Sequence, residues 1–330
     1  MKLQNRIELL LELNKYLLKN DAEWKEIKQI ASVTNGWFTL EFIDLAINNI
    51  CQHFLDETKL NNWIKHYHID DNIQPKKVGI VMAGNIPLVG FHDFLAAFIS
   101  GHFQYIKLSS KDDVLFKHFL QKMVEWNDEI AQLVIIAPML KGCDAYIATG
   151  SNNSAVYFEH YFSKYPSIIR RNRTSVALIK GTESKEELEK LSDDIHSFFG
   201  LGCRNVTKIF VPKDYDFVPL LQSFHQYKYF ADHHKYKNNY DYNLTIQIMN
   251  NRFYMTNDST LLVESESFFS PISQLNYGFY EDWDTLVNSL QAEENIQCIP
   301  GLNIPFGNAQ NPGLMDYADA VDTVAFLLSL

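Results

Sequence analysis

The chain has 330 residues, 46% of them hydrophobic and 14% aromatic, which excludes a disordered polypeptide and supplies apolar area for a sizeable core. Its net charge of −11, with no long run of lysine or arginine, argues against a surface built for phosphate backbones or anionic lipid, so nucleic acid is not expected as a partner. Four cysteines, Cys51, Cys143, Cys203 and Cys298, stand far apart without a CxxC pair; neither a disulfide framework nor a metal site is expected, and a reducing cytoplasm fits.

Taken in chain order, the first sixty-odd residues read as amphipathic helices. Glu8 and Glu12 interrupt the apolar positions of the first, so no signal-peptide core is expected, and no apolar run reaches membrane-spanning length. The clearest helix is TLEFIDLAINNICQHFL, with Thr39 as N-cap and Glu41 in the first turn. From KKVGIVMAGNIP onward the character changes to a buried strand over Val78 to Met82, a turn, an apolar helix stopping at Gly101, and a second strand FQYIKL. The pattern recurs as helix LFKHFLQKMVEW, strands AQLVIIAP and DAYIATG, helix NSAVYFEHYF and strand TSVALIK. Strands alternating with helices imply a doubly wound parallel sheet whose ligand crevice lies at the strands' carboxyl ends. A charged helix capped by Thr182 or Ser184 then runs to Gly200, NVTKIFVP begins another strand, and YNLTIQIM and STLLVES are further strand candidates.

Several stretches fall at strand ends or helix starts. In AGNIPLVG the amide of Asn85 is of the type that donates to a developing oxyanion without titrating, and equally of the type that forms an Asx turn. Lys107 ends a strand, where an ammonium reaches a ribose hydroxyl or phosphate or is simply solvated. ATGSNNSA runs from a strand into a helix, a phosphate cradle built on Gly150 and Ser151 or an ordinary N-cap loop on Ser151 or Ser154. Cys203, between Gly202 and Arg204, sits in the electropositive, flexible setting that favours a thiolate, unlike Cys51 on the apolar face of a helix. His225, His233 and His234 are candidate partner bases for that thiol, and more readily surface or packing residues.

Together these stretches resemble the aldehyde dehydrogenase superfamily, and within it the acyl-CoA reductases of the LuxC-like type. GNIPLVGFHDFLAAFISGHFQYIKLSSKD resembles the superfamily's run of Asn-x-Pro, helix and strand ending in Lys-Pro-Ser; ATGS resembles its Thr-Gly-Ser loop; and Cys203 falls where the nucleophile is expected. ESESFFSPI resembles the Glu-x-Phe-Gly-Pro segment that contacts the nicotinamide ribose, with Glu266 or Glu264 to serve, and IPFGNAQNPG resembles the Pro-Phe-Gly tail. The resemblance implies an α/β, aldehyde-dehydrogenase-like fold: N-terminal helices over 1–66, a doubly wound nucleotide-binding domain over 67–181, a smaller α/β catalytic domain over 182–300 and a C-terminal return over 301–330. It implies NADP or NAD as cofactor, coenzyme A as part of an acyl-CoA substrate, and a homo-oligomer. Asn85 and the Cys203 N–H would hold the oxyanion, Lys107, Gly150, Ser151 and Glu266 the cofactor, and Phe306 the acyl end.

The departures carry information. Arg170 stands where hydrolytic relatives have a general-base glutamate, so water is poorly activated and acyl transfer to or from a thiol is favoured over hydrolysis. With Arg171 and Arg173 it is also a candidate for binding substrate or cofactor phosphates. A hydrolytic aldehyde dehydrogenase, an acyl-phosphate reductase, a cofactor-free cysteine hydrolase and a non-catalytic assembly protein remain as alternatives.

Overall fold

The computed structural model describes all 330 residues, and the chain divides into two compact units, residues 1–172 with 312–330, and residues 173–311. In the sequence reading the corresponding divides fall at 181/182 and 300/301.

The first unit opens with four helices, α1 (Leu3–Lys19), α2 (Ala22–Thr34), α3 (Leu40–Asn49) and α4 (Glu57–His66). Three start at side chains that accept a first-turn backbone N–H, Asp21 from Trp24, Thr39 from Phe42 and Asp56 from Lys59. Their apolar stripes, with Leu10, Leu13, Trp24, Ile43 and Trp63 fully or almost fully buried, join one core with the sheet that follows. That sheet is assembled from β1 (Lys77–Val81), α5 (Phe91–Ser100), β2 (Phe103–Lys107), α6 (Val114–Trp126), α7 (Ile130–Leu133), β3 (Val134–Ile136), β4 (Ala145–Thr149), α8 (Asn152–Phe162) and β5 (Ser167–Arg170). The order is β3-β2-β1-β4-β5 with every pair parallel. The order reverses between β1 and β4, the place where such sheets leave a crevice beyond the strand ends. A last helix over Thr323–Leu328 returns to α5: Arg170 donates to Asp93 Oδ2 at 2.5 Å and to Thr323 Oγ1 at 2.8 Å, all three side chains buried.

The second unit contains β6 (Ser175–Leu178), α9 (Lys185–His196), β7 (Val206–Pro212), α10 (Val218–Ser223), α11 (His234–Met249), β8 (Met255–Thr256), β9 (Leu261–Glu264), β10 (Gln274–Tyr280) and α12 (Trp283–Gln291). Its sheet runs β6-β7-β10-β9-β8, parallel except for the short β8. The outer edge of β6 is covered by residues 295–300, through Val176 N to the Cys298 carbonyl at 3.3 Å and Leu178 N to the Pro300 carbonyl at 3.1 Å. Of the two cap residues expected for α9, Ser184 serves, in a capping box with Glu187.

Two expectations are corrected, and one strand is added. TSVALIK forms β6 of the second sheet, not a strand of the first. SIIR is the edge strand β5. YNLTIQIM is helical, the end of α11. Its alternating Leu244, Ile246 and Ile248 mimic a strand, but the buried stripe is Tyr236, Tyr240, Asn243 and Gln247, at helical spacing and half polar. Asn243 spends its amide on the Ile272 carbonyl at 2.9 Å. A hydrophobic period cannot reveal a face buried through hydrogen bonds.

Candidate functional site

In the first unit, the loops after β1, β2 and β4 emerge from the same edge, because the strands are parallel and adjacent. Val81 pairs with both Lys107 and Ala148. This edge brings together Asn85, Lys107, Gly150 and Ser151. The loop after β1 packs closely on the one after β2: a Cβ at Gly84 would lie 2.6 Å from Ser109 Oγ, so only glycine lets the loops meet. Asn85, next in the chain, is exposed. Three residues on, Leu88 holds φ +55°, a strained value for a branched side chain, with its N–H given to the buried Asp112 Oδ2 at 2.7 Å. Burial pushes the Asp112 carboxyl up to about 7, against the pull of the Leu88 N–H.

Lys107 is exposed at the end of β2, and its carbonyl accepts from Met82 N at 3.0 Å. Ser151 is the N-cap of α8, accepting from Ser154 N at 3.3 Å. A Cβ at Gly150 would lie 2.9 Å from both Ser154 Cβ and the Phe158 ring, so the strand-to-helix passage is tight and places the first-turn N–H groups at the crevice. Arg170 ends β5 at the same edge, but its guanidinium faces inward to Asp93 and Thr323. It braces two helices, and Arg171 turns instead to exposed Glu159 at 2.5 Å. A cavity of about 640 Å3, lined by Met1, Arg6, Asp71, Gly101 and Phe103, opens at the amino end of β2, the opposite edge from these loops.

In the second unit, Cys203 is half-buried in a turn closed by Asn205 N on the Gly202 carbonyl at 3.1 Å. Asn205, fully buried, builds that turn. Its Oδ1 accepts from Gly202 N at 2.8 Å, while its Nδ2 donates to the carbonyls of Asp194 (3.2 Å), Ile195 (3.3 Å) and Ser197 (2.8 Å) at the end of α9. One side chain thus pairs the orphan carbonyls of a helix end and sets the approach to the thiol. Between them, Phe198 and Phe199 adopt φ of 54° and 57°, with the Phe199 ring packed, tilted, 4.4 Å from those of both Phe230 and His233. The Cys203 carbonyl accepts from Ser175 Oγ at 3.1 Å.

Asp194, also on α9, accepts from Gly307 N at 2.7 Å and Ala309 N at 2.9 Å, and Arg204 Nε donates to the Ala309 carbonyl at 2.6 Å. The Pro-Phe-Gly stretch is therefore tied to the residue next to Cys203. Burial pushes the Asp194 carboxyl up to about 7, with those two N–H groups and Arg204 pulling the other way. Phe306 is half-buried against the core of α9 and the sheet. Cys51, by contrast, is buried and pushed up to about 12, an inert thiol. His233 is the N-cap of α11, its Nδ1 accepting from Tyr236 N at 3.3 Å, and His225 and His234 are exposed. Glu264 ends β9, and both it and Glu266 are exposed. Sequence reasoning missed Asn205, Asp194 and Asp112. The signal for Asn205 was an amide between the cysteine and an apolar strand; the two aspartates sit in ordinary polar runs and give none.

The sequence profile of the acyl-CoA reductase (LuxC) family matches residues 1–219, a stretch that contains Asn85, Lys107, Ser151 and Cys203. The chain belongs to the acyl-CoA reductase (LuxC) family. Membership makes it an oxidoreductase of aldehyde or acyl groups. No curated protein matches it. Solved structures similar to this family member include aldehyde dehydrogenases. Aldehyde dehydrogenase 21 from Physcomitrella patens, in complex with the reaction product succinate, is 11% identical with a TM-score of 0.66 over 89% of this chain and 72% of that one. A cysteine-to-alanine mutant of propionaldehyde dehydrogenase from the Clostridium phytofermentans fucose utilisation bacterial microcompartment is 10% identical, with a TM-score of 0.60 over 94% and 82%. NAD-dependent aldehyde dehydrogenase from Sinorhizobium meliloti is 11% identical, with a TM-score of 0.63 over 89% and 69%. At such identities the likeness fixes the fold, which is aldehyde-dehydrogenase-like as the motifs implied.

Proposed function

We propose that the protein reduces an acyl thioester, acyl-CoA, to an aldehyde through a thioacyl group on Cys203, with NADPH or NADH as reductant. The observation that carries this reading is the Cys203 turn: within the second unit, one half-exposed thiol is presented by a buried amide, a strained helix exit and a clasped Pro-Phe-Gly segment. A structural cysteine needs none of these supports.

The residues at the carboxyl edge of the first sheet fit a dinucleotide. The crevice lies at the reversal of strand order, Gly84 and Gly150 keep its walls close, and α8 offers first-turn N–H groups beyond Ser151. Lys107, Gly150 and Ser151, with Glu266 from the second unit, are assigned to hold it. When bound, the reduced nicotinamide supplies hydride, the two electrons that take an acyl group to an aldehyde.

Cys203 attacks as thiolate: its Sγ bonds the carbonyl carbon, the carbon–sulfur bond to coenzyme A breaks, and coenzyme A leaves as a thiolate that takes up a proton. The Cys203 N–H and the Asn85 amide are assigned to the oxygen that gains charge, each donor contributing about 3 kcal/mol to that step. By the resemblance, position 170 is where hydrolytic relatives carry the glutamate that activates water; here it is an arginine bonded to Asp93, which favours acyl transfer over hydrolysis. Phe306 is assigned to the acyl end.

The test is loss of reduced-nicotinamide absorbance with a panel of acyl-CoA esters and both cofactors. The reading expects cofactor consumption, aldehyde and one free coenzyme A per turnover, all abolished in Cys203→Ala. Coenzyme A release by Cys203→Ala, or acid as the product, overturns it.

A further inference from the structure

β7 leaves the Cys203 turn as VTKIFVP, and in this otherwise uncharged strand Lys208 is almost fully buried, 3% exposed. Burying an ammonium is costly unless it is used, and a methionine of similar length would fill the same space more cheaply. Its surroundings show the use. Lys208 Nζ donates to the Glu266 carbonyl at 3.1 Å and sits 4.7 Å from the centre of the Phe210 ring and 5.4 Å from that of Phe268.

The neighbouring carbonyls are held in the same manner. Ser267 O accepts from Asn276 Nδ2 at 3.0 Å, Phe268 O from Thr207 Oγ1 at 2.6 Å, and Phe269 O from Asn276 Nδ2 at 3.1 Å. Four consecutive carbonyls, 266 to 269, are thus bound by three side chains of β7 and β10. Lys208 and Asn276 are register partners on these adjacent strands, so their side chains share a face. Gln274 Nε2 donates to Asn276 Oδ1 at 2.8 Å and fixes which way that amide points. Next to the clasp, the space between the end of α9 and residues 270–274 is only about 20 Å3, room for a single water. With its carbonyls turned inward, the segment leaves the Glu266 carboxylate exposed.

We propose that Lys208 is a positioning residue for cofactor binding, its ammonium fixing the backbone at Glu266, with Thr207 and Asn276 fixing the next three residues, so that Glu266 is presented to the nicotinamide ribose. The proposal rests on the reading that the Glu266 segment contacts the cofactor. The clasp and the nucleophile turn are also neighbours in the chain: β7 begins three residues after Cys203 and carries Thr207 and Lys208 at its start.

The experiment compares the full-length protein with Lys208→Met, Lys208→Arg and Thr207→Val, reading the Kd for NADPH and NADH by nicotinamide fluorescence and the rate of Cys203 alkylation by iodoacetamide. A hydrogen bond from a charged donor corresponds to about a tenfold change in affinity. Lys208→Met is expected to weaken the preferred cofactor by about that factor, Lys208→Arg to recover most of it, and Thr207→Val to weaken it by about threefold, with alkylation within about twofold of wild type throughout. Should Lys208→Met not fold, Thr207→Val and Lys208→Arg decide: unchanged affinity in the first, or tenfold weakening in a folded Lys208→Arg, overturns the proposal. A lysine with only an architectural part lowers Tm without separating cofactor affinity from thiol reactivity, which also overturns it. Wild-type protein that binds neither cofactor overturns the reading beneath it, and the proposal with it; wild-type binding with an unaffected Lys208→Met overturns the proposal alone.

Discussion

In the first unit, Asn85 is an exposed side chain in the loop after β1, Lys107 an exposed one at the end of β2, and Ser151 caps a helix. In the second, Cys203 is half-buried in a turn pinned by Asn205, and the segment carrying Glu266 is clasped through four carbonyls. A dinucleotide crevice is made mostly of main chain, strand order and a helix start, so any sequence that forms the parallel sheet comes close to making it. A nucleophile turn has no such generic support. It depends on individual buried polar groups, each of which must be paired or cost stability. Substitutions in the first unit are therefore expected to separate stability from catalysis cleanly, whereas in the second the two are entangled.

The sharpest way to break this contrast is Arg170→Met. It strands buried Asp93 and releases the last helix from β5, and is expected to cost about 3–5 kcal/mol in urea unfolding of the purified protein. A loss below about 1 kcal/mol would mean that the pair is not the brace described. Asn85→Ala comes next. Exposed, it is expected to change stability by less than about 0.5 kcal/mol, yet to lower kcat about a hundredfold by removing an oxyanion donor; a stability loss without a kinetic one reverses the comparison.

The smallest effect is on pH. Asp112 and Asp194, one in each unit, are raised by burial from 3.8 to about 7. Between these values the folded chain holds protons the unfolded chain has released. Their contribution is full below the unfolded value and is lost as pH rises from about 4 through about 7, so these two groups lower the urea midpoint across that window. Asp112→Asn and Asp194→Asn should each flatten that fall, and a fall unchanged in both removes the assignment.

The parallel character of the first sheet was legible because each βαβ step repeats one apolar strand and one amphipathic helix. β5 was not: its four residues carry only two isoleucines, and it is a strand because β4 offers an edge. The motif residues were legible as a family pattern, since Asn85, Lys107, Ser151 and Cys203 keep their order. Their supports were not. Asp194 is a helix residue among other acids, and nothing local says that Gly307 and Ala309 will donate to it from more than a hundred positions away. Lys208 left a trace, a charge inside VTKIFVP, readable only once burial is known. Arg170 was legible as a missing carboxylate but not as a brace, because Asp93 and Thr323 are remote in sequence.

The central claim, a thioacyl group on Cys203, is tested most directly by intact-protein and peptide mass spectrometry after mixing the protein with acyl-CoA in the absence of reductant. One acyl adduct is predicted, on the peptide carrying Cys203, absent in Cys203→Ser and discharged as aldehyde when NADPH or NADH is added. An adduct on Cys51, Cys143 or Cys298 instead, or aldehyde formed by Cys203→Ser, contradicts it.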